Sequence, residues 1–146
     1  GSVGMRVMLI KNGLSVLADS HLVGVGAGNA EYHLSHMPGT ARVQNLHNWW
    51  AEVLVDGGVM IFLLYAAFYL SLLFDLLKVA KNSQDGFLSY ASASLFVALS
   101  GYSIGCLGPS TAIHFAPMWI VFGLALAVMN IHRKRVDKER EAPTGQ

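Results

Sequence analysis

Apolar positions along the chain fall into stretches of different period, and each period predicts a different element. Between Arg6 and Ser20, Val7, Leu9/Ile10, Leu14, Leu17 and Ala18 recur at helical spacing, with Lys11, Asn12, Ser15 and Asp19 between them. That pattern predicts an amphipathic helix of about 14 residues lying along the outer membrane surface. In "HLVGVGAGNAEY", from His21, Gly24, Gly26 and Gly28 alternate with small apolar residues, which predicts a tight, close-packed turn. "HMPGTARVQN", from His36, reads as a loop on its Pro38-Gly39 turn signal. Beyond Asp56 the periodicity gives way to continuous apolar runs. "GGVMIFLLYAAFYLSLLF" carries 18 residues without a charge, Phe87 to Gly108 carries 22, and Ala112 to Ile131 has one histidine near its start. About 20 mostly apolar residues cross roughly 30 Å of hydrocarbon, so three spans follow, at about 50–77, 87–108 and 112–131.

Composition agrees with that reading: the chain is 53% hydrophobic and 13% charged, against roughly 45–50% and about 25% in soluble domains. The expected fold is an all-α integral membrane protein. Residues 1–49 form an extracytoplasmic loop with a surface helix and a glycine-rich turn, 50–131 hold the three transmembrane helices, and 132–146 form a basic cytoplasmic tail. No cleavable signal peptide is expected, because no apolar run sits at the start. Without a starting Met, and with only three spans around its polar groups, the chain reads as the C-terminal part of a larger multi-span bundle. Lys78 and Lys81 follow the first run, and Arg133, Lys134, Arg135, Lys138 and Arg140 follow the third. Two crossings separate these clusters, so the positive-inside rule puts both on the cytoplasmic side and residues 1–49 outside. A net charge of +1 argues against a nucleic-acid partner. The single Cys106 carries no disulfide information.

The junction "NLHNWWAEVLVDGG", Asn45 to Gly58, concentrates the polar chemistry. Asn45, Asn48, Glu52 and Asp56 are spaced by three, four and four, which makes one polar stripe if a helix begins near Asn45. His47 sits beside that stripe, and Trp49-Trp50 occupies the place of an interfacial aromatic belt. Two readings stand side by side. In one, Asn48 caps a helix and the carboxylates are interfacial. In the other, ionisable groups at membrane depth beside a titratable histidine form a functional site.

Remaining features carry less. The glycine segment lacks the third glycine of a dinucleotide fingerprint, at Asn29, and follows no strand. His33 and His36 are three apart near Glu31, a weak zinc pattern broken at Pro38. His114 and His132 fall at opposite ends of the third run, as interfacial histidines. Gly101 and Gly105 make a G-x-x-x-G that predicts close intramolecular helix packing, and "RKRVDKEREAPTGQ" reads as a disordered tail.

The order of these segments resembles the O-antigen ligase and Wzy-type polysaccharide polymerase family. Its signature is a His-Asn pair, nine residues and a glycine, here His47-Asn48, "WWAEVLVDG" and Gly58; where the family ends in Gly, Thr or Tyr this chain has Ile61. Upstream, "SVGMR" resembles the Ser…Arg start of the same outer loop and "LVGVGAGNAEY" its Gly-x-Gly-x-Gly-Asn segment. "GPSTAIHFAPMWIVFGL" looks most like Gram-positive teichuronic-acid and exopolysaccharide polymerases. The resemblance implies a glycosyltransferase in the bacterial cytoplasmic membrane, with its active side extracytoplasmic. It would join a polyprenyl-diphosphate-linked glycan to an acceptor hydroxyl, polymerising or ligating repeat units, with polymerase the leading reading and ligase the second. The chemistry fits the residues: a histidine, with an ordinary pKa of about 6.5, can take the acceptor proton, which makes His47 the candidate catalytic base. A bidentate guanidinium suits a departing diphosphate, which selects Arg6 and then Arg42, without a metal or other cofactor. Asn48 and Glu52 complete the expected substrate-binding set, Glu52 either orienting His47 or binding acceptor hydroxyls. Expected partners are the lipid-linked glycan, the bilayer and other polysaccharide-assembly membrane proteins. The alternative is a non-catalytic membrane segment of a polysaccharide flippase or a scaffold protein. A transport role predicts charge near the middle of the spans, where serines and tyrosines are the only polar residues.

Overall fold

The structure is a computed structural model that describes residues 2–37, 45–108 and 115–141. It is all-α, with no strand among the described residues: α1 (Ser2–Asp19), α2 (Asn29–Ser35), α3 (Trp49–Asn82), α4 (Gly86–Gly105) and α5 (Ala116–Glu141). The last three are long and apolar enough to cross a membrane. Their side chains, including Leu63, Leu64, Phe74, Val97, Ile120 and Leu124, are largely exposed, as hydrocarbon-facing residues should be. The chain divides into two compact units. One comprises Gly1–Ala67 with Ser103–His114, the other Phe68–Tyr102 with Phe115–Gln146.

In the first unit α1 packs on α2, and Val16, Ala30, Leu34, Leu46 and Val55 form a buried core with Val25, Met37 and Ala51 against it. The buried side of α1 is Leu9, Gly13, Val16 and Leu17, whereas Val7 and Leu14 of the sequence stripe are exposed. The face is rotated because its centre is Gly13, which hydrophobicity does not count. A Cβ there would lie 2.8 Å from Leu46 Cδ2 and 3.2 Å from Val55 Cγ2. The exposed Val7 and Leu14 leave α1 as a helix that packs on protein through one side.

Helix α3 is not straight. Gly58 has φ 75° and ψ 175°, a conformation that breaks the helix and favours glycine. The break is a fold-back. Trp49 and Tyr65 lie 16 residues apart, about 24 Å along a straight helix, yet their ring centroids are 4.8 Å apart. Likewise Trp50 meets Phe62 at 6.4 Å. So a short arm before Gly58 closes against the helix after it, and the unbroken apolar helix starts at Val59. From Val59 to Asn82 it is about 36 Å long, enough to cross the bilayer by itself. The sequence places one continuous span over 50–77; the fold-back separates its first turns from the rest.

In the second unit the helices meet through side chains. Tyr69 donates its hydroxyl to the Leu99 carbonyl at 2.6 Å, and Ser89 bonds the Ala80 carbonyl at 2.7 Å. Phe122 packs edge-on against Phe68, Tyr69 and Trp119. The G-x-x-x-G pair does not act as a packing site: Gly101 and Gly105 are exposed, and a Cβ on either would meet nothing within 4 Å. The basic stretch after Ile131 is helical through Glu141 and not a disordered tail. Arg133/Asp137 and Arg135/Glu139 are opposite charges at i,i+4, the spacing that supports an exposed helix, and Arg135 pairs with Asp85. Residues 142–146 lie outside the described part.

Candidate functional site

A broken helix leaves backbone groups without partners, and inside a membrane protein each must find another. Around Gly58 the Val55 and Asp56 carbonyls and the Val59 N–H lose their regular helical bonds. The glycine-rich turn supplies replacements: Val25 N–H donates to Val55 O at 3.1 Å, Gly26 N–H to Asp56 O at 2.9 Å, and Val59 N–H to Leu22 O at 3.0 Å. The approach is backbone on backbone. A Cβ on Gly24 would strike Gly58 N and Asp56 O, and one on Gly58 would strike Val23 O. Gly24, Gly26 and Gly28 all have positive φ, and so do His21 and Leu22. The expected tight turn is present, and its partner surface is the break in α3.

Asp56 closes this interlock. Its side chain is 5% exposed. It accepts from Gly28 N–H at 2.8 Å and from Ala30 N–H at 2.9 Å, one oxygen for each donor. Those donors open α2, so the carboxylate satisfies two unpaired N–H groups and meets the positive end of a helix. Asp56 therefore anchors α2. The one-stripe arrangement is not realised, because α3 starts at Trp49 and Asn45 lies before it.

The helix start is capped as one of the two readings had it. Asn48 Oδ1 accepts from Ala51 N–H at 3.2 Å, and Asn48 O accepts from Glu52 N–H at 3.0 Å. Trp49 N–H reaches Cys106 O at 3.1 Å, and Trp50 Nε1 donates to Ser103 O at 3.1 Å, tying the arm to the end of α4. Trp49, only 1% exposed, is packed within protein and not at a lipid-facing belt.

His47 precedes this cap. It is half-buried, and its backbone has φ 48°, uncommon outside glycine though histidine is among the residues that tolerate it. Its N–H is held by Asn45 Oδ1 at 2.9 Å, and Asn45 Nδ2 donates to Glu31 Oε1 on the first turn of α2. The structure thus gathers Glu31, Asn45, His47 and Asn48. Glu52 lies one turn into the arm, half-buried. Arg6 is exposed on α1. It is seven residues, two turns or about 10.5 Å, before Gly13 on the same face, the face that receives Leu46 next to His47. Arg42 lies outside the described residues, as do Pro38-Gly39 and His114.

Sequence spacing misses the pairing of Asp56 with α2, a contact between residues 26 and 28 positions apart, and the bridge from Glu31 to Asn45. The one available signal is the coincidence of a glycine-rich turn with a Gly-Gly pair after Asp56. Among the described residues no three His, Cys, Asp or Glu side chains group so as to hold a metal. His36 instead donates from Nδ1 to Tyr32 O at 2.8 Å. A groove of about 750 Å³ occurs in the second unit, lined by Asp75, Lys78, His132, Arg133 and Asp137 among others, and holds none of the junction residues.

Fold and junction together define an all-α protein with, among the described residues, three helices long and apolar enough to cross a membrane and a polar, glycine-interlocked unit at one helix break. No family model matches the chain, and no solved structure does. It is similar to the teichuronic acid biosynthesis protein TuaE of Bacillus subtilis (strain 168), at 30% identity over 131 residues. The match covers 88% of this chain and 27% of that protein, so the chain spans about a quarter of its relative's length.

Proposed function

We propose that this chain is part of a bacterial membrane protein that assembles a cell-surface polysaccharide, and that it carries the acceptor-activating side of a glycosyltransferase acting on polyprenyl-diphosphate-linked repeat units. The observation that carries the reading is the presentation of His47. A titratable side chain sits on a left-handed residue whose backbone is pinned by Asn45, at the mouth of a capped helix arm. Backbone strain of this kind is held only where surrounding structure fixes it, and such places cluster at functional sites. The similarity to a teichuronic acid biosynthesis protein supports a role in cell-surface polysaccharide biosynthesis.

In this reading the acceptor hydroxyl gives its proton to the His47 imidazole as its oxygen attacks the anomeric carbon. The bond to the diphosphate oxygen breaks, and the polyprenyl diphosphate leaves as an anion. Arg6 and Arg42 bind that anion; Glu52 stabilises the imidazolium or holds acceptor hydroxyls. Asn48 spends its Oδ1 on the helix cap, which leaves its Nδ2 as the group for a sugar oxygen. Residues 1–49 face the cell exterior, opposite the basic clusters of α3 and α5. Polymerase is preferred to ligase, and neither metal nor cofactor takes part.

The test is polymer formation in cells whose sole copy carries a substitution. His47→Ala should lower polymer by about 10²–10⁴-fold, the usual contribution of a general base. Arg6→Lys should also lower it strongly, since an ammonium cannot replace a bidentate fork. His33→Ala, an exposed histidine of the same unit, serves as the control. Full polymer from an abundant His47→Ala protein removes the assignment and favours the non-catalytic reading.

A further inference from the structure

A run of hydrogen bonds forms a path that starts at the helix break and ends at His47. The Asp56 carboxylate holds the first N–H groups of α2. Glu31, in that first turn, accepts from Asn45 Nδ2, and Asn45 Oδ1 accepts from His47 N–H. The Asn45 amide is thus used at both ends, its donor toward α2 and its acceptor toward the histidine. Beneath it, Leu46 is 2% exposed and belongs to the core that also contains Ala30, Leu34 and Val55. The segment 45–47 is therefore clamped from two sides, by packing at Leu46 and by hydrogen bonds at Asn45.

We propose that Asn45 and Glu31 are positioning residues that, anchored through Asp56, fix the backbone of His47 in its left-handed conformation and so aim its imidazole at the acceptor hydroxyl; this rests on the reading of His47 as the base. The physical reason is directional. A residue with φ near 50° returns readily to the extended region once its N–H is released. That rotation swings the side chain away from its present direction. The hydrogen bond between Asn45 and Glu31 is exposed, so it adds little to global stability. Its consequence is orientation, and a misplacement of about 1 Å costs a catalyst on the order of 10²-fold.

The polarity of the amide gives a decisive swap. Glu31→Gln keeps an acceptor for Asn45 Nδ2 and should leave polymer close to wild type. Asn45→Asp removes the donor and sets one carboxylate against another, so polymer should fall by about 10²-fold at unchanged membrane abundance. The double variant Glu31→Gln/Asn45→Asp restores the bond with donor and acceptor exchanged, and leaves the second oxygen of the new carboxylate for His47 N–H. It should recover polymer to within a few-fold. A role in loop stability alone would lower membrane abundance in Asn45→Asp together with polymer, whereas the positioning role lowers polymer at constant abundance.

Histidine imidazole NMR on the detergent-solubilised protein, with the His47 resonance assigned from its loss in His47→Ala, reads the positioning without reference to catalysis. Displacement of that resonance in Asn45→Asp and its return in the double variant supports the clamp. A double variant no better than Asn45→Asp, with an unmoved His47 resonance in both, overturns it. Should His47→Ala keep full polymer, the base assignment falls, and the clamp is then judged by the resonance alone: return supports it, immobility rejects it.

Discussion

The two units solve the same problem, joining helices without water, by opposite means. In the second unit the helices remain regular, and contact is made by side chains: the Phe122 ring against Phe68, Tyr69 and Trp119, and the Tyr69 hydroxyl against one carbonyl. In the first unit a helix is broken and its liberated backbone groups are matched by a turn. Side-chain packing tolerates exchange of one apolar shape for another. Backbone matching does not, because every atom in the contact is common to all residues and the only freedom is the absence of a Cβ. The proposed site falls in the unit that is specified this way, and a site of that kind needs groups held to a fraction of an ångström.

Glycine substitutions break that contrast most directly. Gly58→Ala and Gly24→Ala each force a Cβ into backbone at a positive φ. Each should cost at least about 3 kcal/mol, combining left-handed strain with overpacking against atoms that cannot rotate away. Tryptophan fluorescence during thermal unfolding in detergent suits this test, because Trp49 and Trp50 sit on the arm that the interlock holds. Gly101→Ala in the second unit has open space around its Cβ and a regular helix to benefit from. It should leave unfolding within about 1 kcal/mol of wild type or raise it. Equal losses at Gly24, Gly58 and Gly101 would erase the difference between the units.

Asp56→Asn sharpens the same comparison at a smaller scale. An amide offers one acceptor where the carboxylate offers two, and its NH2 would face either Gly28 N–H or Ala30 N–H. Leaving one buried donor unmet costs about 1–3 kcal/mol. Proteolysis or hydrogen exchange should locate the loss in α2 and the glycine turn, with α4 and α5 protected as in wild type. Uniform loosening across both units would show that Asp56 is not specific to the interlock.

The fold class is legible from the long apolar runs, because hydrocarbon thickness dictates their length. The glycine turn is legible too, since alternating glycines have few other uses. The fold-back at Gly58 is not: a Gly-Gly pair inside an apolar run is also compatible with a continuous helix, and only the partner turn about 30 residues earlier decides. The same non-local term turns Asp56 from a member of a helical stripe into the anchor of α2. It rotates the buried face of α1 onto Gly13, where the absence of a side chain is what permits contact. Around His47 the local pattern singles out His47 and Asn48 but holds no hint of Glu31, whose link to Asn45 crosses 14 positions. The helical basic stretch escapes a compositional reading because composition describes charge content and not the i,i+4 order of its signs.

The smallest expected effect lies in the turn before α4, where the second unit has its one side-chain ion pair among the described residues. Asp85 Oδ1 accepts from Leu88 N–H at 2.9 Å as the helix cap, Oδ2 pairs with Arg135, and Ser83 Oγ receives Asp85 N–H at 3.2 Å. The Leu88 N–H, with Arg135 adding to it, holds the Asp85 carboxyl below the usual carboxylate range. A carboxyl whose folded value lies below its unfolded value stabilises the fold above the unfolded value, about 3.9. That stabilisation disappears as pH falls through the lowered folded value, so unfolding should show no Asp85 contribution to its pH dependence between about pH 5 and 8. Asp85→Asn keeps an oxygen for Leu88 N–H and loses only the exposed pair, so its melting temperature should barely move and should no longer respond to salt at this site. Asp85→Ala loses the cap as well and should melt measurably lower than Asp85→Asn. If the two variants melt together, the cap contributes nothing measurable; if Asp85→Asn falls as far as Asp56→Asn, the second unit also depends on a specific carboxylate and the contrast between the units narrows.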